Sequence, residues 1–553
     1  MNRFLCALFM IVLVGCRSEE VLIDSSDASS TDANDVFEAD VQDSSPVDSE
    51  TDSQIDSGPS DSGYDSGDSG YVPLDSGSEP IDSGPPDYLP EQKDPNTIWG
   101  IIGTGQSLSV GAHSNPVINT TTRYNNLKLE FQYVDVPWTS THQLTDLGEP
   151  IRNASAGSYP YNIWGGGESP HTSMADQISY QSIETSGSDY VTIHTVVGQD
   201  NYGYEQIKKN GLGNNYQSSL DEMSDVKSIV SLRGKNYKIG AIVLTHGERD
   251  YSDSNYGNDI FDLWSDYNTD IKLITGQTNI IPLITSQSSS GYPNSNGSRA
   301  ISSWKMWESS VMNSGIVCSG PKYQYDYFSD GIHFTAPSSQ RLGVKYGQVY
   351  DTLRKGIKWK PLQPNDVKLI DSKTISITFD VPVPPIQFDE SLEIQHTIGH
   401  EWYNGRGFEL VDDVGLVRID FVTLSGPDKV LIHANREIDS GAVLGYAMTV
   451  TQDGTRRVGQ LCDSDNLDGV DSKEYRIVAA QNSNSIIIID LDDAHGPRDI
   501  LNDSGVAPNT VIKSISGVTA ILSNPWTKPD QIYDVKIKSD QRNYLVQFDW
   551  KIN

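Results

Sequence analysis

From Thr97 to about Lys358, short apolar runs rich in β-branched residues alternate with segments of helical period. Ile98 to Thr104 is closed by a glycine, and Tyr190 to Val197, Ile239 to Leu244 and Ile280 to Ile284 share its texture. Tyr216 to Leu232, Ile260 to Leu273 and Ser338 to Lys355 carry the helical pattern. Strands this apolar are buried on both faces, and crossover helices on both sides of a parallel sheet do that. The order predicts an α/β domain over residues 94–358. In such sheets reactive groups collect beyond the carboxyl ends of the strands. Ser107, Gly198, His246 and the pair Asp330/His333 all fall just after predicted strand ends.

The chain before that domain has a different character. Arg3 is followed by the apolar run Phe4 to Val14 and then Gly15-Cys16. A basic start, a short apolar stretch and a small-residue site make a secretory signal over residues 1–16, too short to span a membrane. Its Leu13-Val14-Gly15-Cys16 ending resembles a bacterial lipobox, which implies cleavage before Cys16 and lipid on its sulfur. An ordinary signal peptide with a chance cysteine is the alternative. Several acyl chains on one cysteine would anchor the protein stably. Arg17, where an Asp would favour retention, leans towards the outer membrane or cell surface.

Between Glu19 and Glu91 there are 21 Asp and Glu, no Lys or Arg, and repeated Asp-Ser-Gly. Such a tract cannot bury enough to fold and repels itself into an extended state. Residues 17–93 therefore read as a tether; calcium binding is the alternative, without the regular spacing of a calcium loop. The tract accounts for most of the formal charge of −35. The remainder is mildly acidic, so nucleic acid is not an expected partner.

Of the cysteines, Cys6 lies in the signal and Cys16 is the lipidation candidate. Cys318 and Cys462 remain, either paired or as two thiols. No Cys/His spacing resembles a zinc site, and neither metal nor cofactor is expected. From Pro361 on, short runs such as Thr374 to Phe379, Gly415 to Phe421, Lys429 to His433 and Ser485 to Ile489 are separated by Gly, Pro, Asn and Asp. Residues 359–553 read as all-β and sandwich-like, a packing or glycan-contact module. His396 and His400 would suit a metal pair on a helix, but in a β-rich setting they read as surface or strand-end residues.

The chemistry concentrates in Asp330-Gly331-Ile332-His333. A spacing of three, about one helical turn, lets the carboxylate hold the imidazole Nδ1–H while Nε2 faces a substrate. Serine is a poor nucleophile without an adjacent base, and Ser107 in Gly105-Gln106-Ser107 is the candidate. Ser107 would also suit a helix N-cap, and Asp330-Gly331 a simple turn.

Gly105-Gln106-Ser107-Leu108-Ser109, Gly198-Gln199, Thr245-His246-Gly247-Glu248-Arg249-Asp250 and Asp330-Gly331-Ile332-His333 together resemble the ordered blocks of the SGNH/GDSL hydrolase superfamily. Within it, Gly-Gln-Ser and His-Gly-Glu-x-Asp are similar to the sialate O-acetylesterase and carbohydrate-acetylesterase branch. The likeness spans roughly residues 97–356. Pro361 to about Asp465 is more loosely similar to the β-domain that follows such esterases. The resemblance implies a flavodoxin-like three-layer domain and metal-free ester hydrolysis by Ser107, His333 and Asp330. It also implies an oxyanion hole made from the nucleophile's N–H, a block-two glycine N–H and a block-three side-chain amide. Two departures stand out. Asp200-Asn201 replaces the usual Gly-Gly of block two, leaving Gly198 and Asn201 as candidate donors. His246 stands where relatives carry Gln, and its N–H is the expected third donor, with a role in the core as the alternative. Glu248 and Asp250 are expected to organise loops.

The expected activity is removal of O-acetyl groups from a carbohydrate. Tyr202, Tyr204, Tyr325, Tyr327 and Trp164, beside Gly, Asn and Ser, suit a sugar better than a long acyl chain. An esterase of lipid or peptide acyl groups is one rival. A non-enzymatic glycan-binding lipoprotein on a degenerate hydrolase domain is the other, kept open by the altered block two.

Overall fold

The computed structural model describes residues 94–552 apart from 122, 131–142, 153–165, 292–297, 395–403, 452–455, 490, 492–494 and 496–497. Cys16, the 17–93 tether, Trp164, His396 and His400 lie outside the described residues. The described part belongs to one unit, Gly70–Asn553.

Seven strands form one sheet: β1 (Thr97–Gly105), β2 (Leu127–Glu130), β3 (Gln143–Asp146), β4 (Thr192–Gly198), β5 (Asn236–Thr245), β6 (Leu283–Gln287) and β7 (Ile316–Pro321). Their order is β3-β2-β4-β1-β5-β6-β7. All pairings are parallel except that of β3 on β2 at one edge. The helices are α1 (Pro170–Ser186), the single turn α2 (Tyr204–Ile207), α3 (Asn215–Leu232), α4 (Tyr256–Thr275), α5 (Ile301–Met312) and α6 (Ala336–Arg354).

Alternation along the central strands divides the core between two faces. Ile102, Ile242 and Leu244 pack with Met223 and Val226 of α3 and Ile260 and Leu263 of α4. Ile101, Ala241 and Val243 pack with Met174 and Ile178 of α1 and Val349 and Leu353 of α6. Each such side chain is worth about 1.5–3 kcal/mol when fully buried, which explains why β1 and β5 read as unbroken apolar runs. α1 escapes the periodicity because its buried face includes Thr172, Ser173, Asp176, Gln177 and Ser179. Its boundary signals are present, with Ser169 as N-cap, Pro170 at the first turn and Gly187 at φ 71 beyond the end.

The β-rich part holds two bodies rather than one. Strands β8 (Gln363–Asp371), β9 (Thr374–Asp380), β13 (Ile419–Leu424) and β14 (Lys429–Ala434) form one antiparallel sheet. Strands β11 (Phe408–Asp412), β12 (Gly415–Leu416), β15 (Val443–Tyr446) and β23 (Phe548–Lys551) form a second, and β10 (Gln387–Phe388) pairs with β16 (Leu461–Cys462). Ile375, Ile377 and Ile432 of the first sheet share a core with Phe408, Leu410, Leu444 and Phe548 of the second. Between β16 and β23 the chain makes a closed barrel from β17 (Lys473–Ala479), β18 (Ser485–Ile489), β19 (Ile500–Asn502), β20 (Thr510–Ser516), β21 (Thr519–Leu522) and β22 (Gln531–Lys538). Alternating strands read alike in a sandwich and a barrel. The β19–β22 pairing that closes this one is a long-range event.

The sandwich and the α/β domain are not independent. Trp307, Cys318 and Tyr323 belong to the sandwich core. Gln287 at the end of β6 donates to Gln547 O at 2.8 Å, and Gln547 N returns a bond to Gln287 Oε1 at 2.8 Å. Buried Lys345 of α6 donates to Gln541 O at 2.6 Å and Asn543 Oδ1 at 2.9 Å. Cys318 and Cys462 are both buried and unpaired. Among the described residues no helix is long and apolar enough to cross a membrane.

Residues 94–358 expressed alone would bare Trp307 and Tyr323 to water and remove two of the acceptors of Lys345, and exposed apolar surface of this kind drives association. That fragment is expected to aggregate and to lack the cooperative melt of residues 94–553. Gel filtration and circular dichroism check this, and a monomeric, cooperatively melting fragment would refute it.

Candidate functional site

The site begins where β1 ends. Gly105 has φ 139, and a Cβ there would lie 2.1 Å from Thr245 O, so only glycine permits β1 and β5 to run this close. Gln106 N then donates to Thr245 O at 3.2 Å. A 3-10 turn follows over Ser107–Val110, secured by Ser109 N and Oγ on Gln106 O at 2.9 and 2.6 Å. Ser107 opens this turn. Its N–H finds no backbone acceptor among the described residues, as is usual for the first residue of a helical turn.

Asp330 and His333 come from the loop between β7 and α6. They sit in a turn rather than on a helix, with Gly331 at φ 66 and Phe328 N donating to His333 O at 2.8 Å. Asp330 Oδ1 accepts from the N–H groups of Ile332 and His333 at 2.9 and 3.0 Å. Its Oδ2 lies 2.8 Å from His333 Nδ1. His333 Nε2 lies 2.9 Å from Ser107 Oγ. The structure thus joins three residues, two of them 226 positions apart, in one hydrogen-bonded row. Burial works to raise the Asp330 pKa, but the His333 ring and the two N–H groups outweigh it and hold the carboxyl down at about 2. A carboxylate accepts only, so Nδ1 carries the proton and Nε2 is left to accept from the serine hydroxyl.

The expected oxyanion donors divide. Gly198 abuts the nucleophile's turn, since a Cβ on it would lie 1.9 Å from Ser109 Oγ. Asn201 is exposed in the turn after β4, at φ 57. His246 does not fit the donor role. It is fully buried, with Nε2 2.9 Å from Tyr202 O and Nδ1 2.5 Å from Tyr256 Oη. A carbonyl can only accept, so the single N–H of the neutral ring is spent on Tyr202. Burial lowers the His246 pKa, keeping the ring neutral. His246 therefore ties the loop after β4 to α4, and the core reading holds over the catalytic one.

Neighbouring residues are sorted as sharply. Tyr325 is buried in the core against Phe334, half-buried Tyr327 also packs on Phe334, and half-buried Tyr202 and Tyr204 pack against the core that includes α3 and α4. Glu248 is buried and paired with buried Lys322. Asp250 Oδ2 accepts from Tyr204 N at 2.7 Å. Arg249 N donates to Gln106 Oε1 at 3.3 Å, tying this loop to the nucleophile's turn. One site residue has no sequence signal at all. The ring of His113 lies 4.3 Å from that of His333, centroid to centroid.

No protein-family model and no curated protein matches this chain. Solved structures do. A protein from Arabidopsis thaliana is 16% identical with a TM-score of 0.34, over 46% of this chain and 98% of its own. A carbohydrate acetylesterase from Xanthomonas citri is 10% identical with a TM-score of 0.43, over 66% of this chain and 77% of its own. Another from Sinorhizobium meliloti is 13% identical with a TM-score of 0.24, over 46% of this chain and 98% of its own. Similarity this remote leaves the functional reading to the site's own geometry.

Two buried carboxyls brace the loops around Ile118–Asn119 and Ser169. Glu149 accepts from Ser169 Oγ and Thr172 Oγ1 at 2.6 and 2.7 Å. Glu168 accepts from Ile118 N at 2.7 Å and Asn119 N at 3.0 Å, and its own N–H bonds Ser114 O at 2.7 Å. Burial, then the charge of Glu149, pushes Glu168 from 4.5 up to about 8. Between those values the folded chain holds a proton that the unfolded chain has released, so stability must fall as pH rises through that window. Melting temperatures measured from pH 5 to 8 are expected to decline, and Glu168→Gln to flatten the decline. A variant with the wild-type slope would place the effect elsewhere.

Proposed function

We propose that this protein is a serine esterase that removes O-acetyl groups from a carbohydrate. The observation that carries the reading is the continuous row Ser107 Oγ, His333 Nε2, His333 Nδ1, Asp330 Oδ2, with links of 2.9 and 2.8 Å, at the carboxyl ends of parallel strands. Ser107 Oγ attacks the acetyl carbonyl carbon as its proton passes to His333 Nε2. The tetrahedral intermediate expels the sugar oxygen, which takes that proton, and an acetyl-enzyme remains. Water, deprotonated by the same nitrogen, then releases acetate. The Ser107 N–H is the first oxyanion donor, and the turn around Gly198 and Asn201 supplies the rest. Losing one such donor costs about 3–4 kcal/mol. The motif resemblance favours a sugar over a long acyl chain.

Ser107→Ala is expected to abolish acetate release from acetylated sugars with the fold intact, and His333→Ala to be nearly as damaging. The double variant should be little worse than either, because members of such a row act as a unit. Asp330→Asn should cost up to about 10⁴-fold in kcat, since it loses the tautomer and the support of the imidazolium. Folded Ser107→Ala protein with wild-type turnover would remove the nucleophile. A wild type that binds glycans but hydrolyses none of their esters would replace this reading by the glycan-binding one.

The same proposal puts the enzyme on a bacterial membrane through lipid at Cys16, with the acidic tract as spacer and the outer membrane or cell surface as its address. Its support is the Leu13-Val14-Gly15-Cys16 sequence. Cys16→Ser should move the protein from the membrane fraction to the soluble one or leave it uncleaved; normal processing with full membrane retention would refute the anchor.

A further inference from the structure

His113 lies six residues beyond the nucleophile, and its ring meets the ring of His333 at 4.3 Å with 39° between planes. We propose that His113 is a positioning residue, whose ring packs on His333 and fixes the plane in which that imidazole reaches both Ser107 and Asp330. The proposal rests on the esterase reading of the row.

Three observations carry it. The first is backbone strain. His113 has φ 66, which costs a non-glycine residue on the order of 1–3 kcal/mol and persists only where the surroundings over-determine it. They do so here. Ala112 N donates to Ser107 O at 3.0 Å, Ser114 N to Gly111 O at 3.0 Å and Asn115 N to His113 O at 2.9 Å. Ser114 Oγ donates to Phe334 O and lies against Ser339 Oγ, both at 2.9 Å. The loop is thereby fastened at one end to the nucleophile's turn and at the other to the residue after His333.

The second is that the ring itself takes no part in this fastening. His113 is exposed, and its ring has no hydrogen-bond partner among the described residues. Backbone groups and Ser114 hold the loop, and the His113 ring lies against His333 without a hydrogen bond among the described residues.

The third is a need for that contact. The Asp330 side chain is 39% exposed, against 10% for His333. Water reaches the carboxylate, so its hold on the imidazole is screened. A planar ring hinged on one bond can then pivot off either partner, and catalysis is intolerant of such misplacement. An aromatic surface laid on one face restrains the pivot without competing for Nδ1 or Nε2.

The test compares His113→Ala, His113→Asn and His113→Phe in the intact chain. Asn tolerates the left-handed conformation but removes the aromatic face, so it stands in should the Ala variant fail to fold. Phe restores a ring that can neither donate nor accept. On an acetylated sugar, the Ala and Asn variants are expected to lose about tenfold or more in kcat with KM within about twofold, and Phe to recover most of it. Proton NMR supplies a readout independent of turnover. The His333 Nδ1–H signal, identified by its absence in His333→Ala, should broaden or vanish in His113→Asn and return in His113→Phe. Wild-type kcat and an intact signal in the Ala or Asn variant would overturn the proposal, as would a Phe variant as impaired as Ala. If the wild type hydrolyses no acetyl ester, the esterase reading fails by itself, and the NMR comparison alone decides the role of His113.

Discussion

The approach of β1 to β5 at Gly105 is the constraint on which the site depends. Because no Cβ intervenes, β1 runs its full length between β4 and β5 and then turns sharply against Thr245 O. The place of Ser107 is therefore set by pairing of β1 with both neighbouring strands, at Gly198 on one side and Thr245 on the other, and by the Gln106 side chain, which accepts from Arg249 N. Main-chain contacts between buried strands are among the least yielding in a protein.

His333 is held by other means. Its loop is a tight turn whose carboxylate caps the same segment that carries the imidazole, so Asp330 both shapes the turn and orients the ring. External supports then fix the turn. Gly291 N donates to Gly331 O at 3.0 Å, Arg456 Nη1 donates to Tyr325 O at 3.3 Å, and Ser290 bridges to Arg456. Arg456 belongs to the β-rich part. Buried Arg457 beside it donates to Ser290 O, to Met448 O at 3.0 Å and to Ser298 O at 3.2 Å. The β-rich part thus reaches to within a few residues of the Asp330–His333 turn and is part of its scaffold.

Polar groups carry much of this joining. Lys345 with Gln541 and Asn543, and Gln287 with Gln547, cross between the two parts and are buried. Such pairs add little net stability over apolar packing, yet they penalise every arrangement that leaves one partner alone. They select a single relative placement of the two parts. Apolar contact between Trp307 and Phe548 supplies the burial that makes the placement stable.

The sequence by itself determined the α/β alternation, because β1, β4 and β5 are buried on both faces and their composition has no freedom to say otherwise. It also singled out Ser107, Asp330 and His333, which the fold brings into one hydrogen-bonded row, since a serine after a glycine-closed strand and an Asp-x-x-His near a domain's end are local patterns. Three things were decided only in three dimensions. His246 stands in a catalytic-looking motif, but whether its N–H faces a substrate or a carbonyl depends on Tyr202 and Tyr256, which come from other elements. The barrel within the β-rich part depends on β19 pairing with β22, and alternation alone does not distinguish closure from a sandwich. His113 has no motif, and only the clamp from Ser107 to Phe334 lays its ring on His333. Local patterns record what a residue can do, and long-range contacts decide which of its partners it meets.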